Sequence, residues 1–401
     1  MRRLARGAGG FADQVLPVVQ NPFHRNNPGA LCLTLEKLAM KKSLIALAAL
    51  AAVGAASAQS SVTLYGVIDT NYGWGRTTTK DGSLTTKVTT TGLNPAGSNM
   101  SGSRWGLKGQ EDLGNGLAAV FNVEAGFDSS NGRTGGGFDF SNINSGSGIP
   151  GVYGDGFNRR AVVGLKGSFG QVLLGTDYTP MDIVADGNGF QAIDRSTYNV
   201  SPDGTALYTD RANGIHYSGN FSGVGVKAFA SYDREKVSND LGTTSDTRGE
   251  GYGLNLTYGN GPFAIGGGVQ QFKSKDMNAT STPVKNTDVK NTEYAVAASY
   301  DFTAAKVFGH YAGNDPDVGE TMHQYSLGVA VPFGAATLGA QYAYNKQGDF
   351  KGHDVVLQGT YALSKRTDLY ARAGRFNHWK NSDLDQSTKS DVVAVGIRHR
   401  F

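Results

Sequence analysis

Ser103 to Asp128 reads SRWGLKGQEDLGNGLAAVFNVEAGFD, and its period decides the fold. Two runs of period two flank the polar, glycine-bearing turn Glu111-Asp112-Leu113-Gly114-Asn115-Gly116. In the second run Leu117, Ala119, Phe121, Val123, Ala125 and Phe127 share one parity, and Asn122, Glu124 and Asp128 take the other. In the first, Trp105 and Leu107 fall on one side, with Arg104, Lys108 and Gln110 on the other. Successive strand side chains point to opposite faces, so the stretch is a β-hairpin with one apolar and one charged face.

Working outward, the same alternation continues to the C-terminus with no long helical pattern. Upstream the chain is of another kind. Met40-Lys41-Lys42, the apolar run Leu44 to Ala56 and the small-residue site Ala56-Ser57-Ala58 have the three-part layout of a secretory signal peptide. The apolar run is too short for a spanning helix. Translation is therefore expected to start at Met40, with residues 1–39 an upstream leader outside the natural reading frame start, 40–58 the signal, and 59–401 the mature domain. The single cysteine, Cys32, lies in the discarded part, which fits an oxidising compartment.

Of 37 basic residues seven fall before residue 59, and of 34 acidic residues two do, leaving 30 against 32 in the mature 343 residues. The basic balance of the full chain thus comes from the leader, and charge gives no argument for nucleic acid. Mean hydropathy is −0.32, and no mature stretch approaches the roughly 18 continuous apolar residues of a spanning helix. Each strand nevertheless keeps one apolar face over the whole length. A transmembrane barrel must do this, because one face meets lipid and the other water.

Along the mature chain the first strand is expected at Val62 to Trp74, followed by a threonine- and glycine-rich loop from Arg76 to Gly102. A strand is expected at Phe157 to Lys166 and another at Gln171 to Tyr178, around the turn Gly167–Gly170. Thr179 to Asp210 shows no alternation and is too long for an idle connection, so it reads as a functional loop. Further alternating runs bring the count to about sixteen, an even number, at roughly 21 residues per strand and connection. Asn260-Gly261-Pro262 and Pro332-Phe333-Gly334 are short connections, whereas Asp233–Glu250, Lys273–Thr292 and His378–Ser390 read as long polar loops. Short turns belong on the periplasmic side and long loops outside.

SSVTLYGVIDT near the mature start, SRWGLKGQEDLGNGLAAVFNVEAGF, NRRAVVGLKGSFGQVLLGTDYTP, YALSKRTDLYA and the ending VAVGIRHRF resemble the Gram-negative outer-membrane general porins, in particular their betaproteobacterial branch. The resemblance covers the mature chain end to end. It implies an all-β transmembrane antiparallel barrel of about sixteen strands, usually a homotrimer, with the long third external loop folded into the lumen. It also implies delivery to the outer membrane and handling by the barrel-assembly machinery through a C-terminal aromatic, here Phe401. His399 interrupts the apolar parity of Val393, Val395, Ile397 and Phe401, a departure that puts an imidazole at the membrane rim.

A diffusion channel needs no nucleophile, only a watery constriction whose fixed charges sort ions and small hydrophilic solutes. By parity Arg104 lies on the polar face, and counting back from the turn brings it close to Glu124, a pairing that would hold the guanidinium and partly offset its charge. The resemblance carries the basic constriction wall onto Arg104, Arg159 and Arg211. Arg160 adjoins Arg159, so alternation allows only one of them to point inward. Glu124 and the loop acids Asp182, Asp186 and Asp194 are the candidates for the acidic side. Arginines in excess of inward acids give a weakly anion-leaning pore. Tyr65, Tyr72, Trp74, Trp105, Tyr300, Tyr344 and Tyr361 read as interfacial girdles rather than a sugar-binding ladder.

Other readings are a solute-specific channel for a carboxylate or phosphate and an outer-membrane barrel enzyme. The seven histidines show no HxxxH or paired metal spacing, and no G-x-S-x-G elbow is present, so no catalytic residue, metal or cofactor is expected. The expected partners are solutes, ions and outer-membrane lipid.

Overall fold

The computed structural model describes residues 61–95, 97–134, 156–182, 190–193, 211–238, 244–276, 288–381 and 384–401. The first strands are β1 (Ser61–Asp81), β2 (Leu84–Leu93), β3 (Arg104–Gly114), β4 (Leu117–Gly126), β5 (Arg160–Gly167) and β6 (Gly170–Tyr178). They are followed by β7 (Arg211–Phe221), β8 (Val224–Ser238), β9 (Thr244–Asn260), β10 (Phe263–Asp276), β11 (Asp288–Asp301) and β12 (Lys306–Pro316). The last are β13 (Met322–Phe333), β14 (Ala336–Gln347), β15 (Phe350–Ala362), β16 (Thr367–Asn381) and β17 (Gln386–Arg400).

Every neighbouring pair is antiparallel, and the sheet closes on itself through β1. Val67 to Asp81 pair with Arg400 to Gln386 of β17, while Ser61 to Val67 pair with Gln110 to Arg104 of β3. Closure leaves no wall strand with a free edge, which a hydrocarbon surround requires. Because β3 starts opposite Val67, the far half of β1 would lack a partner on that side. β2 fills the gap, pairing Leu84–Leu93 with Asp81–Tyr72. Sixteen strands, β1 and β3–β17, thus form the wall, and β2 is an added hairpin arm.

Burial is inverted relative to a water-soluble fold. Gln324 and Asp69 are 0% exposed, whereas Leu327 and Val395 are 67% and 61% exposed. On β17 the exposed residues Val393, Val395 and Ile397 alternate with buried Val392, Ala394 and Arg398. The apolar parity faces outward and the polar parity inward, as a wall between lipid and water demands. The β3–β4 turn closes through Gly114, Asn115 and Gly116, all at positive φ, which glycine and asparagine tolerate best.

Several strands run further than alternation suggests. β1 extends to Asp81, and β2 occupies part of the expected Arg76–Gly102 loop; β8 and β9 run into 233–250, β10 and β11 into 273–292, β16 and β17 into 378–390. Beyond the bilayer both strand faces are wet, so the ladder hydrogen bonds persist while the one-sided apolar signal disappears. Tyr65 also departs from the expected girdle: its hydroxyl reaches inward to Asn122 Oδ1 at 2.8 Å and Glu124 Oε2 at 3.0 Å. His399 is exposed near the C-terminal end of β17, its Nδ1 2.9 Å from Thr367 Oγ1.

Candidate functional site: a basic cluster on the inner wall

The register of β3 and β4 sets Gly106 opposite Glu124 and Arg104 opposite Gly126. Arg104 and Glu124 are therefore diagonal neighbours on the inner face, with Nε 3.6 Å from Oε2. Glycine at 106 and 126 leaves room for groups from other elements: a Cβ on Gly106 would meet the Tyr65 ring at 2.9 Å, and one on Gly126 would meet Arg159 Cδ at 3.0 Å. Arg104 Nη1 also donates to Gly102 O at 2.9 Å.

On the next strand Arg160 lies directly opposite Glu124. It forks onto Asp177 of β6 through Nε at 2.7 Å and Nη2 at 2.8 Å, the bidentate geometry in which a guanidinium binds a carboxylate best. Arg159 precedes β5. Asn158 Oδ1 accepts the Gly126 N–H at 2.7 Å and Glu124 O accepts the Arg159 N–H at 3.0 Å, holding a bend there. The bend frees Arg159 from strand alternation, and its Nε reaches Glu124 Oε1 at 2.7 Å. Both members of the Arg159-Arg160 pair consequently join one inward cluster, against the expectation that only one could.

Tyr178 organises the far side. Its hydroxyl accepts from Arg159 Nη2 and, at 3.1 Å, from Arg211 Nη2. The guanidinium carbons of Arg211, Arg159 and Arg160 lie 4.6, 5.8 and 5.9 Å from its ring centre, within the range of cation–π attraction. Arginine stays charged at any physiological pH. Four guanidiniums thus meet two buried carboxylates, Glu124 and Asp177, along β3–β7.

Of the residues singled out from sequence, Arg104, Arg159, Arg211 and Glu124 are brought together here. Asp182 is buried in the turn after β6, where its N–H reaches Thr179 O at 3.3 Å, and it acts electrostatically on Lys227 of β8. Asp186 and Asp194 lie outside the described residues. Arg160 was weighed only as an alternative to Arg159, and Asp177 and Tyr178 were missed, although Asp177 shares the inward parity of Gln171 and Gly175 and so could have been found by extending the count along β6.

Past that turn, residues 190–193 lie against residues of inward parity on distant strands. Met181 and Phe190 pack with Ala295, Ala297, Ala312 and Met322, and Ile193 packs with Val356, Phe376 and Val392. The Ala192 N–H donates to Gln341 Oε1 at 3.0 Å. Gly328 and Gly339 make room: a Cβ on Gly328 would meet Ala192 Cβ at 2.7 Å, and one on Gly339 would meet Ile193 Cγ1 at 2.9 Å.

A closed sixteen-stranded wall, apolar without and lined within by charged and amide side chains, defines a channel-forming transmembrane barrel. The description "Gram-negative porin" belongs to the family model that matches residues 45–381, and the chain is a member of that family. It is 34% identical to outer membrane porin protein 32 of Delftia acidovorans, over 90% of this chain and 100% of that one. It is 30% identical to an outer membrane porin protein of Bordetella pertussis, with the same coverage. Among solved structures, an anion-selective porin from Comamonas acidovorans superimposes with a TM-score of 0.59 at 26% identity, covering 86% of this chain and 100% of that one. The protein is an outer-membrane passive diffusion channel.

Proposed function

We propose that this channel leans to anions and that the cluster of Arg104, Arg159, Arg160 and Arg211 is the basic side of its constriction. The observation that carries this reading is the charge balance among the described residues at one point of the inner wall, where four guanidiniums stand with Glu124 and Asp177. An excess of fixed positive charge lowers the energy of a passing anion and raises that of a cation. A similar solved structure is that of an anion-selective porin.

The segment after β6 is the third external loop, folded inward to narrow the lumen. Its support is the packing of Phe190, Ala192 and Ile193 on β10–β17, far around the wall from where the loop leaves β6. Asp182, Asp186 and Asp194 would then supply the acidic side, and facing rows of opposite charge favour dipolar solutes aligned across the gap. By its likeness to the porins the working unit is a homotrimer, exported through a signal removed after Ala58; the unit that contains the barrel begins at Gln59. Phe401 is the assembly signal, placed at the closing seam where its backbone N and O pair with Gly66 at 3.1 Å each.

Reversal potentials in a KCl gradient across a planar bilayer test the proposal. An anion-selective sign that weakens in Arg104→Ala supports it, and a cation-selective wild type refutes it.

A further inference from the structure

We propose that residues 94–103 are a second inward fold of the chain, a strap that lines the pore and completes the constriction between Arg104 and the seat of Ile193. The strap begins as a surplus of chain. Leu93 of β2 lies opposite Tyr72 of β1, and Arg104 of β3 lies opposite Val67. Four residues, facing Asn71, Thr70, Asp69 and Ile68, would carry β2 straight into β3. Ten are present, from 94 to 103, so the chain must leave the ladder. Asn94 turns it away at a φ of 49°, in the left-handed region that asparagine tolerates better than most residues.

Side chains take over bonds that the departing backbone would have made. Asn94 Oδ1 accepts the Asn71 N–H at 2.9 Å. The Ser103 hydroxyl accepts the Asp69 N–H at 3.0 Å and donates to the Asp69 carbonyl at 3.1 Å. Buried backbone groups must be paired, and these pairings let the segment between them fold away without leaving β1 unsatisfied. It folds inward. The Ser101 N–H donates to Asp69 Oδ2 at 2.7 Å, Arg372 Nη1 of β16 to Asn99 O at 2.7 Å, and Arg398 Nη1 of β17 to Ser101 Oγ at 3.0 Å. Asp69, Arg372 and Arg398 are all of inward parity, and a Cβ on inward Gly75 would meet Pro95 Cβ at 3.3 Å. The strap therefore lies across the inner face of β16, β17 and β1.

Its two ends meet the basic cluster and the loop seat. Arg104 Nη1 donates to Gly102 O at 2.9 Å, so the strap runs directly into the cluster. On the other side Arg372, which holds Asn99, shares β16 with Phe376, on which Ile193 packs. Ser98 and Met100 are buried, whereas Gly97, Asn99, Ser101 and Gly102 keep partial exposure. Residues 94–103 carry no charge. The strap thus narrows the passage for every solute alike and leaves the choice of sign to the arginines. That role rests on the basic cluster marking the narrow part of the pore. A cation-selective wild type would refute the cluster's proposed preference, whereas pore width and thiol access do not depend on sign.

Cys32 is the single cysteine, so a thiol can be placed in the barrel alone. Asn99→Cys and the buried control Ser98→Cys, each checked for unchanged heat-modifiable migration, are inserted into planar bilayers and treated with an anionic methanethiosulfonate. The expected result is a stepwise loss of current in Asn99→Cys and none in Ser98→Cys. A further variant replaces residues 94–103 by Thr-Val-Thr-Val, which continues β2 into β3 with polar residues inward and apolar ones outward. Its single-channel conductance should rise, and in liposome swelling the rate for raffinose relative to arabinose should rise several-fold. An Asn99→Cys thiol that stays unreacted, or reacts without loss of current, overturns the proposal, as does an equal loss in Ser98→Cys. Unchanged conductance and sugar ratio in a correctly folded replacement variant overturn it as well.

Discussion

Glu124 holds Arg159 by a 2.7 Å contact between its Oε1 and the arginine Nε, while its other oxygen lies 3.6 Å from Arg104 Nε. One carboxylate therefore restrains two guanidiniums and cancels part of their charge. Removing it by Glu124→Gln leaves the side chain in place and the cluster one charge more positive. A unit charge about 4 Å from a passing ion is worth about 1 kcal/mol in a water-like medium. The expected result is a two- to fivefold rise in the chloride-to-potassium permeability ratio, read from reversal potentials in a KCl gradient. Arg104→Ala should move the ratio the other way by a similar factor, and conductance should remain measurable in both.

Tyr178 is the acceptor shared by Arg159 and Arg211. Tyr178→Phe keeps the ring and its cation–π contacts but removes the hydroxyl. A hydrogen bond from a charged group contributes about 1.5–3 kcal/mol, enough to release Arg211 into other rotamers. Single-channel traces should show increased open-channel noise with little change in ion selectivity, since no charge is lost.

The seat of Ile193 is apolar. Ile193, fully buried against Val356, Phe376 and Val392, leaves its seat if made charged, because an unpaired carboxylate there costs more than the contacts return. Ile193→Asp should therefore enlarge single-channel conductance. Gly328→Val should act in the same direction, since its side chain would occupy the space of the Ala192 Cβ. An unchanged conductance in both variants would remove the loop from the constriction.

At the seam, a Cβ on Gly66 would fall 2.4 Å from Phe401 Cζ and 2.7 Å from the Arg104 carbonyl oxygen. The ring can turn; the backbone oxygen cannot. Gly66→Val is expected to reduce the yield of closed barrel several-fold in refolding followed by unheated gel migration, with Gly66→Ala intermediate.

Asp128, beyond the end of β4, gives the chain an acid-sensitive turn. Burial tends to raise its pKa, but hydrogen bonds from the Ser130 N–H and hydroxyl and from Asn131 Nδ2 prevail and hold it below its ordinary value of 3.8. A depressed carboxylate contributes its stability above its unfolded pKa and loses it as pH falls through the folded value. Hydrogen exchange of the 127–134 segment, corrected for intrinsic rates, should stay protected at neutral pH and accelerate only below about 4. Asp128→Asn should abolish that pH dependence.

Much of this architecture could be read from the residues alone. A period of two is a local property: Leu117, Ala119, Phe121 and Val123 must share a face once the chain is extended, whatever stands next to it. Face, strand count and the nearness of Arg104 to Glu124 across a short turn follow from that. The hidden parts depended on what lies across a strand boundary. The bend at Asn158-Arg159, which admits both arginines to one cluster, arises from hydrogen bonds to Gly126 and Glu124 on another strand.

The sequence by itself determined a two-faced strand repeated around a wall, and with it a channel between lipid and water. Only the tertiary structure decided which strands meet in which register, and so placed Arg160 on Asp177, Ile193 on Phe376 and Lys351 between two other lysines. Alternation fixes the side to which a residue points, but not which residue of the neighbouring strand stands beside it. That is set by turn lengths, bulges and barrel closure acting on the whole sheet together.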